Sequence, residues 1–202
     1  RIRCIKYKFV NKVLTLDTDG PITVPADPVS RSIYTYNGSS GVLFNDSLGA
    51  TEKNILCPAI LPAPSTTANP ACTATKVTAL IDYLAGGKAG ESAGTFRARS
   101  SGLGDIINSA PAYLTKPSFR YPETLKKPGG TNNYDELYSD FRSGNKNRAD
   151  HILVGSNAGM LHAFNVTTGN ETMAYVPRMI LGKLKSLSDL NYRHEYFVDG
   201  SP

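Results

Sequence analysis

The chain has 202 residues, is 40% hydrophobic and 19% charged, and carries a formal net charge of +5. That size allows one or two domains with a real core, and the abundance of Gly, Pro, Ser, Thr, Asn and Tyr favours a turn-rich β protein over a helical bundle. The basic residues are scattered, with one loose cluster at Arg1, Arg3, Lys6, Lys8 and Lys12, and no apolar run approaches the roughly 20 residues of a bilayer span, which argues against nucleic acid as a partner and against a membrane-crossing helix.

Residues 1–30 alternate loosely, from Cys4 to Val10 and from Val13 to Leu16, before the turn Asp17-Thr18-Asp19-Gly20-Pro21; two strands are predicted there. Arg31 to Asn37 is rich in β-formers and predicts another strand. Gly38-Ser39-Ser40-Gly41 turns it, and Val42-Leu43-Phe44 continues as a short hairpin partner. Residues 45–75 read as loop. Within them Cys57 and Cys72 bracket a Pro/Ser/Thr-rich stretch with little to pack. A disulfide between the two would close a loop of about 15 residues, contribute about 3 kcal/mol, and point to an oxidised, exported protein. Cys4 is then free or paired outside this sequence; the alternative is three unrelated thiols. Val77, Leu80, Ile81 and Leu84 fall at i, i+3, i+4 and i+7, one face of a helix, and Gly86 sits where a C′ glycine belongs. Residues 86–104 are Gly-rich and carry Lys88, Arg97 and Arg99.

Asp105 to Leu114 reads as a strand broken by Pro111, and residues 115–133 as a polar, Pro-rich loop. Tyr134, Leu137, Tyr138 and Phe141 give a second helical face that ends before Gly144. The stretch from Asp150 to Pro177 is the most informative. An apolar run over Ile152-Leu153-Val154, a turn cluster at Ser156-Asn157-Ala158-Gly159, a strand from Met160 to Val166, a turn at Thr167-Thr168-Gly169-Asn170 and a strand from Glu171 to Val176 predict a three-stranded antiparallel meander. Such a meander cannot bury both faces alone, and it reads as one blade of a β-propeller. Arg178 to Leu187 predicts a short helix with Ile180, Leu184 and Leu187 inward and Lys183 and Lys185 outward, and Glu195 to Val198 starts one more strand.

The expected fold is therefore mainly β, a partial, modified β-propeller with short helical insertions. Residues 1–104 form a β-rich segment with the Cys loop and one helix, leading into or closing the propeller; residues 105–202 form the first blade region. The sequence has no initiator methionine and opens with no signal-peptide pattern, so it reads as an internal piece of a longer chain whose export signal lies upstream.

Chemical motifs are weak. Asp17-Thr18-Asp19-Gly20 resembles the start of a calcium loop, but Pro28 stands at the twelfth position, where an EF-hand needs Glu. Gly86-Gly87-Lys88-Ala89-Gly90-Glu91-Ser92 holds the letters of a phosphate loop in the wrong order and follows a helix. His151, His162 and His194 are too dispersed for a zinc site, and His162, inside an apolar strand, reads as a packed, hydrogen-bonded histidine. No serine stands in a nucleophile elbow, and nothing pairs a nucleophile with an evident base. Sequons at Asn37, Asn45, Asn165 and Asn170 fall in predicted turns and read as turn formers. No catalytic residue, metal ligand or cofactor-binding residue is expected.

Five segments, 31–44, 79–87, 96–114, 150–177 and 192–202, together and in this order resemble the C-terminal region of the type IV pilus tip adhesin and biogenesis factor, the PilY family (PilC in neisserial naming). The block Gly155 to Gly169 taken alone also resembles blades of quinoprotein propellers and of outer-membrane assembly scaffolds. The resemblance implies a non-catalytic protein at the pilus tip on the bacterial surface, reached through the periplasm. It implies minor pilins as partners, support of pilus extension and twitching motility, and adhesion to host cells or abiotic surfaces. The family commonly carries an Asp-rich calcium loop; no such loop is found here, so calcium is expected only in the remainder of the propeller. The alternatives are a quinoprotein-like dehydrogenase, which the complete lack of Trp argues against, and a periplasmic scaffold. The rest of its own propeller is an expected partner. For minor pilins, either strand addition through residues 5–16 or 31–44, or side-chain docking through Tyr34, Tyr36, Tyr113 and Tyr121, is the expected mode.

Overall fold

In a computed structural model of the chain, which describes residues 6–10, 13–17, 24–25, 27–59, 67–122 and 137–202, Lys6–Val10 (β1) and Val13–Asp17 (β2) pair antiparallel as a two-stranded ribbon. The body of the molecule is a six-stranded sheet. It draws Ile33–Tyr36 (β3) and Gly41–Leu43 (β4) from before residue 104 and Ala112–Leu114 (β5), His151–Ser156 (β6), Met160–Asn165 (β7) and Glu171–Tyr175 (β8) from after it. The spatial order is β4-β3-β8-β7-β6-β5. Every neighbouring pair is antiparallel except β3–β8, which is parallel, with Ile33 beside Ala174 and Tyr34 beside Tyr175.

The predicted meander over 150–176 is present as β6, β7 and β8. Its first turn closes on Gly159, whose φ of +83° suits glycine, and a Cβ there would meet Leu184 Cδ2 at 2.4 Å. In the second turn the Asn165 side-chain oxygen accepts from the backbone N–H of Thr167 and Thr168, an Asx arrangement.

Strand β3 alternates, burying Ile33 and Thr35 and exposing Tyr34 and Tyr36, so one face of the sheet is committed to the core. Helices cover that face. Ala50–Leu56 (α1), Ala74–Leu84 (α2) and an eleven-residue 3₁₀ stretch, Arg178–Ser188, place Leu56, Leu80, Leu84, Leu181 and Leu184 in one core with Ile33, Met160, Ala174 and Val176. Helix α2 follows the predicted apolar face and stops at Gly86, with φ +112°. Cys57 at the end of α1 is bonded to Cys72 just before α2, with Cα atoms 5.4 Å apart, so the two helices are tied at their junction. Ala89–Ser92 (α3), Tyr138–Gly144 (α4) and a 3₁₀ turn at Pro28–Ser30 complete the helices described.

Several expectations are corrected. Helix α1 lies in a stretch read as loop, and α3 in one read as Gly-rich coil, so the described residues before 104 hold three α-helices where one was expected; at seven and four residues α1 and α3 are too short to show a period. Helix α4 begins at Tyr138 and includes Gly144, while Tyr134 lies outside the described residues. The 178–188 segment is 3₁₀, not α: Leu181, Leu184 and Leu187 recur at three residues, and Ile180 is only half-buried. Lys185, expected outward, is half-buried with its Nζ 3.6 Å from Cys72 Sγ. Of the strand expected over 105–114, only 112–114 joins the sheet. Before Pro111 the backbone is held by side chains, with Asn108 N–H donating to Asp199 and Ala110 N–H to Ser201 Oγ. Glu195 to Val198 forms no strand for the same reason: the N–H groups of Glu195 and Phe197 donate to Tyr192 Oη and Asn157 Oδ1. Within the 31–44 hairpin, expected to offer an edge, the inner strand is β3. It lies between β4 and β8, and the edge of this sheet on the 31–44 side is β4.

Candidate functional site

Two arrangements of polar side chains stand out. The first is buried where β3, β7 and β8 meet. Arg31, just before β3, reaches the first residue of β8 and grips Glu171 with two hydrogen bonds, Nε to Oε2 and Nη2 to Oε1, both 2.7 Å. Its Nη1 donates to the Ala85 carbonyl at the end of α2. Glu171 Oε1 also lies 2.7 Å from His162 Nδ1, and His162 Nε2 lies 2.8 Å from Ser156 Oγ. The Arg31 and His162 side chains are fully buried and that of Glu171 nearly so.

The charge states follow from these contacts. Burial alone would raise the Glu171 carboxyl, but the hydrogen bonds from His162 and Arg31, with the Arg31 charge, hold it down at about 2. Burial pushes His162 below its ordinary range, and Arg31 adds to this against the pull of Glu171. The consistent assignment is a charged Arg31–Glu171 pair and a neutral His162 that donates from Nδ1 and accepts the Ser156 hydroxyl at Nε2.

Ser156, His162 and Glu171 thus stand in the order of a serine-hydrolase relay, although the sequence showed no nucleophile paired with a base. Their surroundings differ from those of such a relay. Ser156 is 1% exposed, so no substrate carbon reaches its hydroxyl, and the carboxylate meant to orient the histidine is already neutralised by Arg31. What the network does is connect. It ties β3 to β8 and, through Ala85, to α2, with each buried charge paired.

The second arrangement is a cleft of about 390 Å3 between the 97–105 segment and the 187–194 segment. Arg97 and Arg99 line it and differ sharply. Arg99 is consumed: its Nε donates to Glu91 Oε1, its Nη2 to the Gly87 carbonyl, and its guanidinium lies 3.5 Å from the centroid of the Tyr83 ring. Hydrogen bonds from Arg99 and Lys88 keep the Glu91 carboxyl at about 2 in spite of its desolvation. Arg97 lies 4.5 Å from the centroid of the Tyr192 ring and donates from Nε to the Leu187 carbonyl, with no carboxylate against it among the described residues. Asp105, on the same wall, accepts at Oδ2 from Asn157 Nδ2 and faces His194 Nε2 at 2.8 Å. These bonds outweigh its desolvation and lower its carboxyl.

The four tyrosines read as a docking surface are not brought together. Tyr34 and Tyr36 lie on the outer face of β3, and Tyr36 Oη donates to the Gly38 carbonyl. Tyr113 is on β5 at the far edge of the sheet, donating to Asp150. Tyr121 lies in the loop after β5, stacked on Phe119 and edge-on to Tyr138. His151 and His194 are apart from His162, and no group of three or more His, Cys, Asp or Glu among the described residues is placed to hold a metal. The Asp17 turn, Cys4 and the N-terminal basic cluster lie wholly or in their side chains outside the described residues. Lys88 of the Gly86–Ser92 motif pairs with Glu91. Asn37, Asn45 and Asn165 use their side-chain oxygens to close their own turns. No helix among the described residues is long and apolar enough to cross a membrane.

Sequence reasoning missed Arg31, Glu171, Ser156 and Arg97. A signal existed for the first two: a charged residue at each end of a strand pair destined for a core requires a partner of opposite sign.

Residues 103–202 match the family model described as the PilY1 beta-propeller domain. Among curated proteins, a type IV pilus biogenesis factor PilY1 homolog of Xylella fastidiosa strain Temecula1 is 41% identical over 122 residues, 59% of this chain and 10% of that protein. The type IV pilus biogenesis factor PilY1 of Pseudomonas aeruginosa strain PAK is 40% identical over 126 residues, 60% of this chain and 10% of that protein. A second Xylella homolog is 40% identical over 127 residues, 60% of this chain and 8% of that protein. The chain thus spans about a tenth of the length of the curated relatives it matches. No solved structure matches it.

Proposed function

We propose, from the match of residues 103–202 to the PilY1 beta-propeller domain, that the chain supplies a non-catalytic blade to the propeller of an exported protein at the tip of a type IV pilus. There the protein supports pilus assembly and extension together with minor pilins, and adhesion to host cells or abiotic surfaces. The chain binds no organic cofactor of its own; calcium, where the protein takes it, is held in the remainder of the propeller. A minor pilin strand would add at β4, the edge of the sheet within residues 31–44.

The observation that carries this reading is the match over 103–202, together with relatives whose names are type IV pilus biogenesis factors. The burial of Ser156, His162 and Glu171 supports the non-catalytic part. The test is made in cells that carry the full-length gene. Its deletion is expected to lower the yield of sheared pili, and antibody against the protein to label pilus ends. Normal piliation in the deletion, or label confined to the periplasm, would contradict the reading and favour a scaffold.

A further inference from the structure

The cleft between residues 97–105 and 187–194 is a built site with one unanswered charge. Arg97 is fixed from several sides. Its backbone N–H donates to the Ser188 carbonyl, its own carbonyl accepts from Tyr83 Oη, its Nε donates to the Leu187 carbonyl, and its guanidinium lies against the Tyr192 ring. Beyond these, the Tyr83 hydroxyl is the side-chain acceptor beside the guanidinium, and no carboxylate among the described residues meets its terminal nitrogens. A guanidinium held in one plane with no carboxylate against its outer N–H groups has lost its side-chain freedom before a ligand arrives, and it matches the two oxygens of a carboxylate.

The rest of the wall complements that anchor. Ser100 presents an exposed hydroxyl with no partner among the described residues. The loop that carries it is kept close to the β6–β7 turn, because a Cβ on Gly104 would lie 2.2 Å from Ala158 N. Asp105 spends Oδ2 on Asn157 and His194, and its other oxygen takes no hydrogen bond from another residue among those described. A carboxylate with an N–H nearby is the chemistry of a peptide.

We propose that this cleft binds a carboxylate carried on a peptide, with Arg97 holding the two oxygens, Ser100 donating a third hydrogen bond and Asp105 accepting a ligand N–H. The proposal does not depend on where the protein acts. The carboxylate is either a chain terminus or an acidic side chain, and two probes separate these. N-acetyl-alanyl-alanine has only a terminal carboxylate; N-acetyl-glutamyl-alaninamide has only a side-chain one. Calorimetric titration of the full-length protein is expected to show binding of at least one probe below about 10 mM. Arg97→Gln should weaken it about tenfold or more, and Ser100→Ala, a change at an exposed side chain, about threefold. Whichever probe binds identifies the source. Binding of neither probe overturns the proposal, as does equal binding by folded Arg97→Gln. Should Arg97→Gln fail to fold, Ser100→Ala decides, and an unchanged affinity there overturns it as well.

Discussion

At the scale of single residues, the buried Arg31–Glu171–His162–Ser156 network is a feature whose partial loss the fold tolerates poorly. A buried ion pair adds little stability compared with a well-packed apolar pair, but losing one partner leaves the other charge stranded. Glu171→Gln should therefore destabilise the sheet by about 3 to 5 kcal/mol, whereas Arg31→Met combined with Glu171→Leu should recover much of that loss. Urea-dependent proteolysis of the three proteins checks this, and a double variant as weak as the single one would contradict it. The network also sets a pH response. The stability contributed by neutral His162 is complete above its unfolded value of 6.5 and is lost as pH falls toward its depressed folded value. That of Glu171 is complete above 4.5 and is lost as pH falls through about 2. The melting temperature is thus expected to fall between pH 7.5 and 5, and His162→Gln, though less stable, should lose the slope in that window. A wild-type curve flat over the same range would count against the assignment.

At the scale of elements, the disulfide ties α1 to α2 across a separation of 15 residues. Reduction, or Cys57→Ala with Cys72→Ala, should cost about 3 kcal/mol, and the melting temperature of the double variant should not respond to reductant. A wild-type melting temperature equally indifferent to reductant would contradict the contribution. The same region shows what the sequence could and could not reveal. The meander was legible because strands of five or six residues alternate with turns built on Asn and Gly. Helix α2 was legible because eleven residues carry three turns of an apolar face and a terminating glycine. Helix α1 was not, since seven residues barely hold two turns. The 178–188 segment showed its apolar residues but not its period, because Ile180 and Leu181 are adjacent and either satisfies a helical spacing. The Ser156–His162 contact was invisible for a different reason. The two lie across a hairpin near its turn, and only the β6–β7 register brings them within 2.8 Å.

At the scale of the whole molecule, segments from both sides of residue 104 share one sheet, through the parallel pairing of β3 with β8. The hairpin over 33–43 is thereby fastened to the meander, and the helices between them close over one face. The opposite face, with Tyr34, Tyr36 and Met173 exposed, is left for whatever lies next to the sheet. The reading proposed above is that this unit acts as a scaffold within a PilY1-type propeller and that its Ser–His–Glu network performs no chemistry. The measurement that tests it most directly is the yield of sheared pili, normalised to the level of the protein, in cells whose full-length gene carries Ser156→Ala. The account expects that ratio to equal the wild-type ratio, because the substitution removes two hydrogen bonds, to His162 Nε2 and from the Ala158 N–H, and no reacting group; a collapse of piliation at a normal protein level would contradict it.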